Sequence, residues 1–253
     1  MFQAFKLFLR SFKRNKLFSA INILGLTVGF FSATLIYMYV VEELSYDQFH
    51  ENGDRIYRIN QTFIWGDDNP NLFSATGPGV GYAINEEIPE VEHIVRIHTA
   101  NAMLPITYEK DNQEMFFNDE FIIAVDSNFL EVFSFPLAYG DQATCLDNPG
   151  SVVLSHETAQ KFFGEQDIIG KVLTMDDGES FKITGVLAPI ENNSYIDDMD
   201  VIVSLNSIER IKTSDWNWLW TMFETFIMLD ENADPQLVQK KLDALPEQHV
   251  GQT

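Results

Sequence analysis

The stretch LFSAINILGLTVGFFSATLIYMYVV, residues 17–41, contains 25 residues and no charged side chain. At about 1.5 Å per residue, a helix of that length exceeds the ~30 Å hydrocarbon thickness of a bilayer and spans it with some tilt. Its clearly polar side chains are Ser19, Asn22, Thr27, Ser32 and Thr34. Gly25 and Gly29 form a small-xxx-small face that lets a second helix approach closely. Tyr37 and Tyr39 fall near the outer end, where amphipathic rings favour the interface. A secretory signal has an apolar core of about 7–15 residues and a small-residue cleavage site. Here the run is longer and continues through Met38 into Glu42 and Glu43 with no such site, so the reading is an uncleaved anchor.

Charge is divided sharply about this helix. Residues 1–41 carry +5, from Lys6, Arg10, Lys13, Arg14 and Lys16, and residues 42–253 carry −27. The basic cluster on the N-terminal side predicts a cytoplasmic N-terminus and a main domain outside the inner membrane. Residues 2–14 place Phe2, Phe5, Phe8, Leu9 and Phe12 on one helical face and Lys6, Arg10 and Lys13 on another. This pattern predicts an amphipathic helix at residues 1–16 lying on the inner leaflet and touching membrane lipid. A surface of −27 repels phosphate backbones, which argues against nucleic-acid binding by the main domain. The lone cysteine, Cys145, excludes an internal disulfide framework and a Cys-based zinc site, and reads as a small apolar filler.

Beyond the helix the patterning is mixed, and the fold class reads as α+β. Residues 55–63 alternate as a strand, and Gly77-Pro78-Gly79 is a breaker ahead of a short helix over 80–88. Residues 91–108 and 115–125 read as extended, and residues 129–135 as a short helix or turn. Residues 151–154 form a buried strand. Ser155 caps a helix through Phe163, with Gly164 as its stop. Residues 172–175 and 180–187 flank a hairpin turn at Asp176-Asp177-Gly178-Glu179. Residues 201–205 and 224–229 are short strands, and a helix follows over 235–245. Residues 216–229 read as a core segment rather than a second span, being short and interrupted by Asn217 and Glu224. The strand–helix–strand unit at 55–108 and the strand–helix unit at 224–245 are expected to share one sheet, with a β-rich lobe inserted between them.

No motif carries catalysis, so the chain reads as a non-enzyme with no cofactor. No GxxxxGK[ST] is present, and the glycines at 77, 79 and 81 lack GxGxxG spacing and read as a loop. His50, His93, His98, His156 and His249 show neither HExxH nor i,i+4 pairing. Asp197, Asp198 and Asp200 crowd together without the glycine and glutamate of a calcium loop and read as a solvated turn. Ser155-His156 is an adjacency that a helix cap explains.

Four segments together resemble the N-terminal half of an FtsX-like ABC transporter permease with a MacB-like periplasmic core domain, of the Bacteroidetes type. They are residues 15–29 (NKLFSAINILGLTVG), residues 46–58 (YDQFHENGDRIYR), and Ser151-Val152-Val153-Leu154-Ser155 with Lys161-Phe162-Phe163-Gly164 and Ile169-Gly170-Lys171. The fourth is Phe181-Lys182-Ile183-Thr184-Gly185-Val186 with Asn192-Asn193-Ser194. The resemblance implies a periplasmic region, residues 42–253, of two lobes. A porter-like lobe would comprise 42–108 and 206–253, and a sabre-like lobe 109–205. It also implies a dimeric permease, a separate cytoplasmic ABC ATPase, a periplasmic adaptor, and coupling of ATP hydrolysis to extrusion or periplasmic work. Further membrane helices are expected to follow such a domain. The alternative is a single-span, membrane-anchored extracytoplasmic binding or adaptor module.

Overall fold

The computed structural model describes residues 14–64, 69–99, 106–110, 113–117, 120–164, 167–175, 178–190, 194–196, 199–208 and 217–250. It divides into two compact units, residues 1–46 and 47–253. The first is built on helix α1, Lys16–Glu43. None of its residues is buried, and its apolar side chains point all round, as expected of a helix solvated by lipid rather than by one protein face. The Thr34 hydroxyl returns its proton to the Phe30 carbonyl at 2.8 Å, which hides a polar group within the apolar run.

The second unit is built on an eleven-stranded sheet. In chain order its strands are β1 (Ile56–Ile59), β4 (Val91–Thr99), β5 (Ile106–Lys110), β6 (Gln113–Phe117), β7 (Ile122–Val125), β8 (Leu137–Gly140), β9 (Ser151–Leu154), β10 (Val172–Met175), β11 (Ser180–Leu187), β12 (Val201–Ser204) and β13 (Glu224–Leu229). The spatial order is β1-β13-β4-β7-β12-β9-β11-β10-β5-β6, with β8 on the far end of β11. A separate hairpin pairs β2 (Gln61–Phe63) with β3 (Asn71–Phe73). Among the described residues the α-helices of this unit are α2 (Pro78–Glu87), α3 (Phe129–Val132), α4 (His156–Phe163) and α5 (Pro235–His249).

The central strands β7, β12 and β9 read IIAV, VIVS and SVVL, and all twelve residues are buried. Continuous apolar runs are required where both faces of a sheet are covered. Ile122, Ala124, Val152, Leu154, Val201 and Val203 pack on one face beneath Ala159, Phe162 and Phe163 of α4. Ile123, Val125, Val153 and Ile202 pack on the other, beneath Phe129, Leu130 and Val132 of α3. A third core joins Val80, Ala83 and Ile84 of α2 to Val238 and Leu245 of α5 over Ile227 and Leu229.

The expected pairing of the 55–108 and 224–245 units occurs: β13 lies between β1 and β4, antiparallel to both. Ser155 caps α4 by accepting from the Thr158 N–H at 3.0 Å, and Gly164 ends it at φ 67°. Two expectations are corrected. The glycines at 79 and 81 are not in a loop, because α2 begins at Pro78, where a proline supplies helical φ and its missing N–H costs nothing. Helix α5 does not stop at Leu245 but carries Pro246 within it to His249. Its last turn is closed by Val250 N–H to the Pro246 carbonyl at 2.8 Å and anchored by buried Leu245. Asp176, Asp177, Asp197, Asp198 and Trp216, and the amphipathic segment up to Lys13, lie outside the described residues.

Candidate functional site

Three features of the described residues are candidates for function: the apolar helix α1, the start of the sheet domain and a cleft beside β1. Helix α1 is long and apolar enough to cross a bilayer. Arg14 and Lys16 stand at its N-terminal end and Glu42 and Glu43 at its C-terminal end; Lys6, Arg10 and Lys13 of the basic cluster lie outside the described residues. A methyl group built at Gly25 or Gly29 meets nothing within 4 Å, so this face is open.

The sheet domain begins with a polar knot. Asp47 takes a left-handed backbone conformation, φ 56°, which asparagine and aspartate tolerate best among residues with a side chain. Its Oδ1 accepts from the Ser194 hydroxyl at 2.8 Å and the Tyr195 N–H at 2.9 Å. Positions nearly 150 residues apart, Asp47 and Ser194-Tyr195, are thereby joined. Arg58 of β1 donates to the Tyr195 phenol at 2.5 Å and pairs with Glu224 of β13 at 3.3 Å. His50 is buried edge-on against Phe133 and Phe135, with Asp47 at 3.5 Å from its Nε2. Burial holds its imidazole below the ordinary histidine value, while the Asp47 carboxylate pulls the other way. Sequence reading singled out Asp47 and Ser194 within their segments but not as partners, since no periodicity links residues so far apart.

A second polar anchor fixes β4. The Arg96 guanidinium binds Asp126 by two bonds, Nε to Oδ2 at 2.9 Å and Nη2 to Oδ1 at 2.8 Å, and its own N–H adds a third at 2.8 Å. Burial alone would lower the Arg96 pKa, but the carboxylate more than offsets it and the net shift is upward.

The cleft lies between the β1–β2 segment, the β2–β3 hairpin, Trp218–Leu219 and the end of α5, with a volume of about 550 Å³. Trp218 is placed by a close backbone approach: a methyl at Gly77 would stand 2.5 Å from the Asn217 carbonyl oxygen and 2.8 Å from the Trp218 carbonyl carbon. The Gln61 amide clamps the same segment, donating to the Trp218 carbonyl at 2.9 Å and accepting from the Gly77 N–H at 3.1 Å. His249 stacks on the indole at 5.1 Å and pairs with Glu87 at 2.5 Å.

The residues tested for chemistry take structural places. Asp200 accepts from the Phe121 N–H at 2.9 Å and the Thr158 hydroxyl at 3.2 Å, tying β12 to α4. Cys145 is buried in the core under α3, and burial pushes its thiol up to about 11. Among the described residues no group of three or more His, Cys, Asp or Glu side chains is arranged to hold a metal ion.

A family model described as the MacB-like periplasmic core domain matches residues 19–245. Among solved structures, the chain is similar to a domain of a permease-like protein from Porphyromonas gingivalis. That likeness has 24% identity and a TM-score of 0.64, covering 79% of this chain and 83% of the other. It is also similar to the periplasmic region of MacB from Actinobacillus actinomycetemcomitans, at 12% identity and a TM-score of 0.56, covering 78% and 85%. No protein of curated function matches it significantly. The family match starts inside α1 and runs through the sheet to Leu245, so one pattern embraces both the apolar helix and the sheet domain. The chain belongs to the MacB-like periplasmic core domain family.

Proposed function

We propose that the chain is a permease subunit, or the N-terminal portion of one, of an ABC-type export or mechanotransmission system. Its N-terminus is cytoplasmic, α1 crosses the inner membrane, and the acidic domain works in the periplasm. A separate cytoplasmic ATPase supplies the energy, and the outer domain transmits it to extrusion or periplasmic work. The observation that carries this reading is the family match spanning α1 and the domain together. The basic residues before α1 and the acidic pair after it support the orientation. The open Gly25 and Gly29 face supports association of α1 with other membrane helices, including those of a second subunit. The sheet order supports a two-lobed division: strands from both ends of the chain gather at β1-β13-β4, and the 109–205 region supplies most of the rest.

The test is affinity purification of the tagged chain from its native membrane in mild detergent after cross-linking. The expected result is a co-purifying protein with a phosphate-cradling GxxxxGK[ST] loop and ATP hydrolysis in the eluate. Recovery without any nucleotide-hydrolysing protein contradicts the permease reading and favours the single-span adaptor.

A further inference from the structure

The cleft beside β1 combines three features that point to one kind of ligand. The first is an open strand edge. Among the described residues β1 has a single neighbour, β13, so alternate N–H and C=O groups face away from the ladder. Among the described residues, no backbone bond outside the ladder takes up those of residues 57–60. The second is a buried donor. Trp218 lines the cleft at 7% exposure, and its indole N–H has no hydrogen-bond partner among the described residues. Buried polar groups are nearly always paired, so an orphan beside a cavity asks for an acceptor from outside. The third is an apolar rim: Leu72 and Leu219 are 69% and 68% exposed.

The charged side chains among the described lining residues, Arg58 and Asp243, are already engaged. Arg58 pairs with Glu224 and Tyr195, and Asp243 accepts from Gln239 at 2.8 Å. An anionic ligand therefore finds no free counter-charge there, and the Asp243 carboxylate, which keeps its charge in its bond with the neutral Gln239 amide, disfavours it further. An acyl chain would cover the apolar rim but leave the strand edge and the indole N–H without acceptors. An extended peptide satisfies all three features. Its main chain pairs with the β1 edge, its alternate side chains cover Leu72 and Leu219, and a carbonyl reaches the indole.

We propose that the cleft binds an extended, uncharged, apolar peptide segment of a partner protein as a strand added along β1. This assignment does not depend on the ATPase partnership. The volume of about 550 Å³ lies within the range of ligand sites and suits the side chains of a short segment.

The test uses the full chain in lipid nanodiscs, with the Trp218 indole resonance assigned through Trp218→Phe. The probe is a pool of capped, uncharged hexapeptides alternating apolar and polar residues. The expected result is a saturable downfield shift of the indole proton together with slowed amide exchange across residues 57–60. Leu72→Asp and Leu219→Asp, both at exposed positions, should weaken binding at least tenfold. Leu237→Asp, exposed on α5 outside the lining, should leave it unchanged. Three results would overturn the proposal: no shift at any peptide concentration, a shift produced by laurate but not by the peptides, or equal weakening by all three aspartates.

Discussion

The centre of the large sheet and its β1 end are held together differently. The central strands β7, β12 and β9 are buried on both faces, and their side chains interdigitate with α3 and α4. The end formed by β1, β13 and β4 has buried apolar side chains too, and adds polar clamps to them. Arg55 bonds Glu92 and the Leu229 carbonyl, each at 2.9 Å, Arg58 reaches Glu224, Arg96 grips Asp126, and Lys241 pairs with Glu90. The sheet domain also starts here, with Asp47 tied to the 194–196 segment. Burial is non-directional and tolerates small displacements, whereas paired charges fix orientation and register. The end of the sheet nearest in sequence to α1 is the one where directional bonds are added.

The sharpest way to break this contrast is to damage the centre and the β1 end separately. Leu154→Ala in the fully buried central strand should cost about 3–4 kcal/mol in urea unfolding of the detergent-solubilised chain, through lost transfer energy and a residual cavity. Asp126→Ala should cost about 3 kcal/mol by leaving the Arg96 guanidinium half-buried without its carboxylate. Its exchange signature should differ, with amides of β4 and β13 opening first while β9 and β12 stay protected. If both variants loosen the same strands equally, the centre and the β1 end are not mechanically distinct.

A smaller effect tests the local signals. Ser155→Ala should cost about 1 kcal/mol, because the Thr158 N–H loses its acceptor. Smaller still is a pH effect at the start of the outer domain. Because burial depresses the His50 pKa in the folded state, the unfolded chain takes up that proton first as pH falls. His50 therefore supports stability fully above the ordinary histidine range, and that support declines as pH drops towards its lowered folded value. His50→Gln should flatten the thermal-stability slope between about pH 7 and 5. An unchanged slope would show that His50 does not titrate on unfolding.

The same contrast explains what was legible in the sequence. The apolar runs at 151–154, 201–205 and 224–229 read correctly as strands because burial writes itself into local composition. Ser155 and Gly164 were legible because caps act within four residues of themselves. The knot of Asp47, Ser194, Tyr195, Arg58 and Glu224 was not, because its partners are brought together only by the finished sheet. Trp218 and the cleft escaped for the same reason, since their placement depends on a backbone approach at Gly77. Glycine spacing was misleading where Pro78 started a helix instead of a loop, and Pro246 where tertiary packing carried α5 past it.

Membrane topology tests the central claim most directly. The buried native thiol is removed by Cys145→Ala, and a reporter is placed by Leu237→Cys on the exposed face of α5. Intact spheroplasts are then treated with a membrane-impermeant maleimide. A periplasmic domain on an N-in helix predicts full labelling before lysis, reduced when Lys13, Arg14 and Lys16 are all reversed to glutamate. Labelling of Leu237→Cys only after lysis, with the basic cluster intact, would contradict the account.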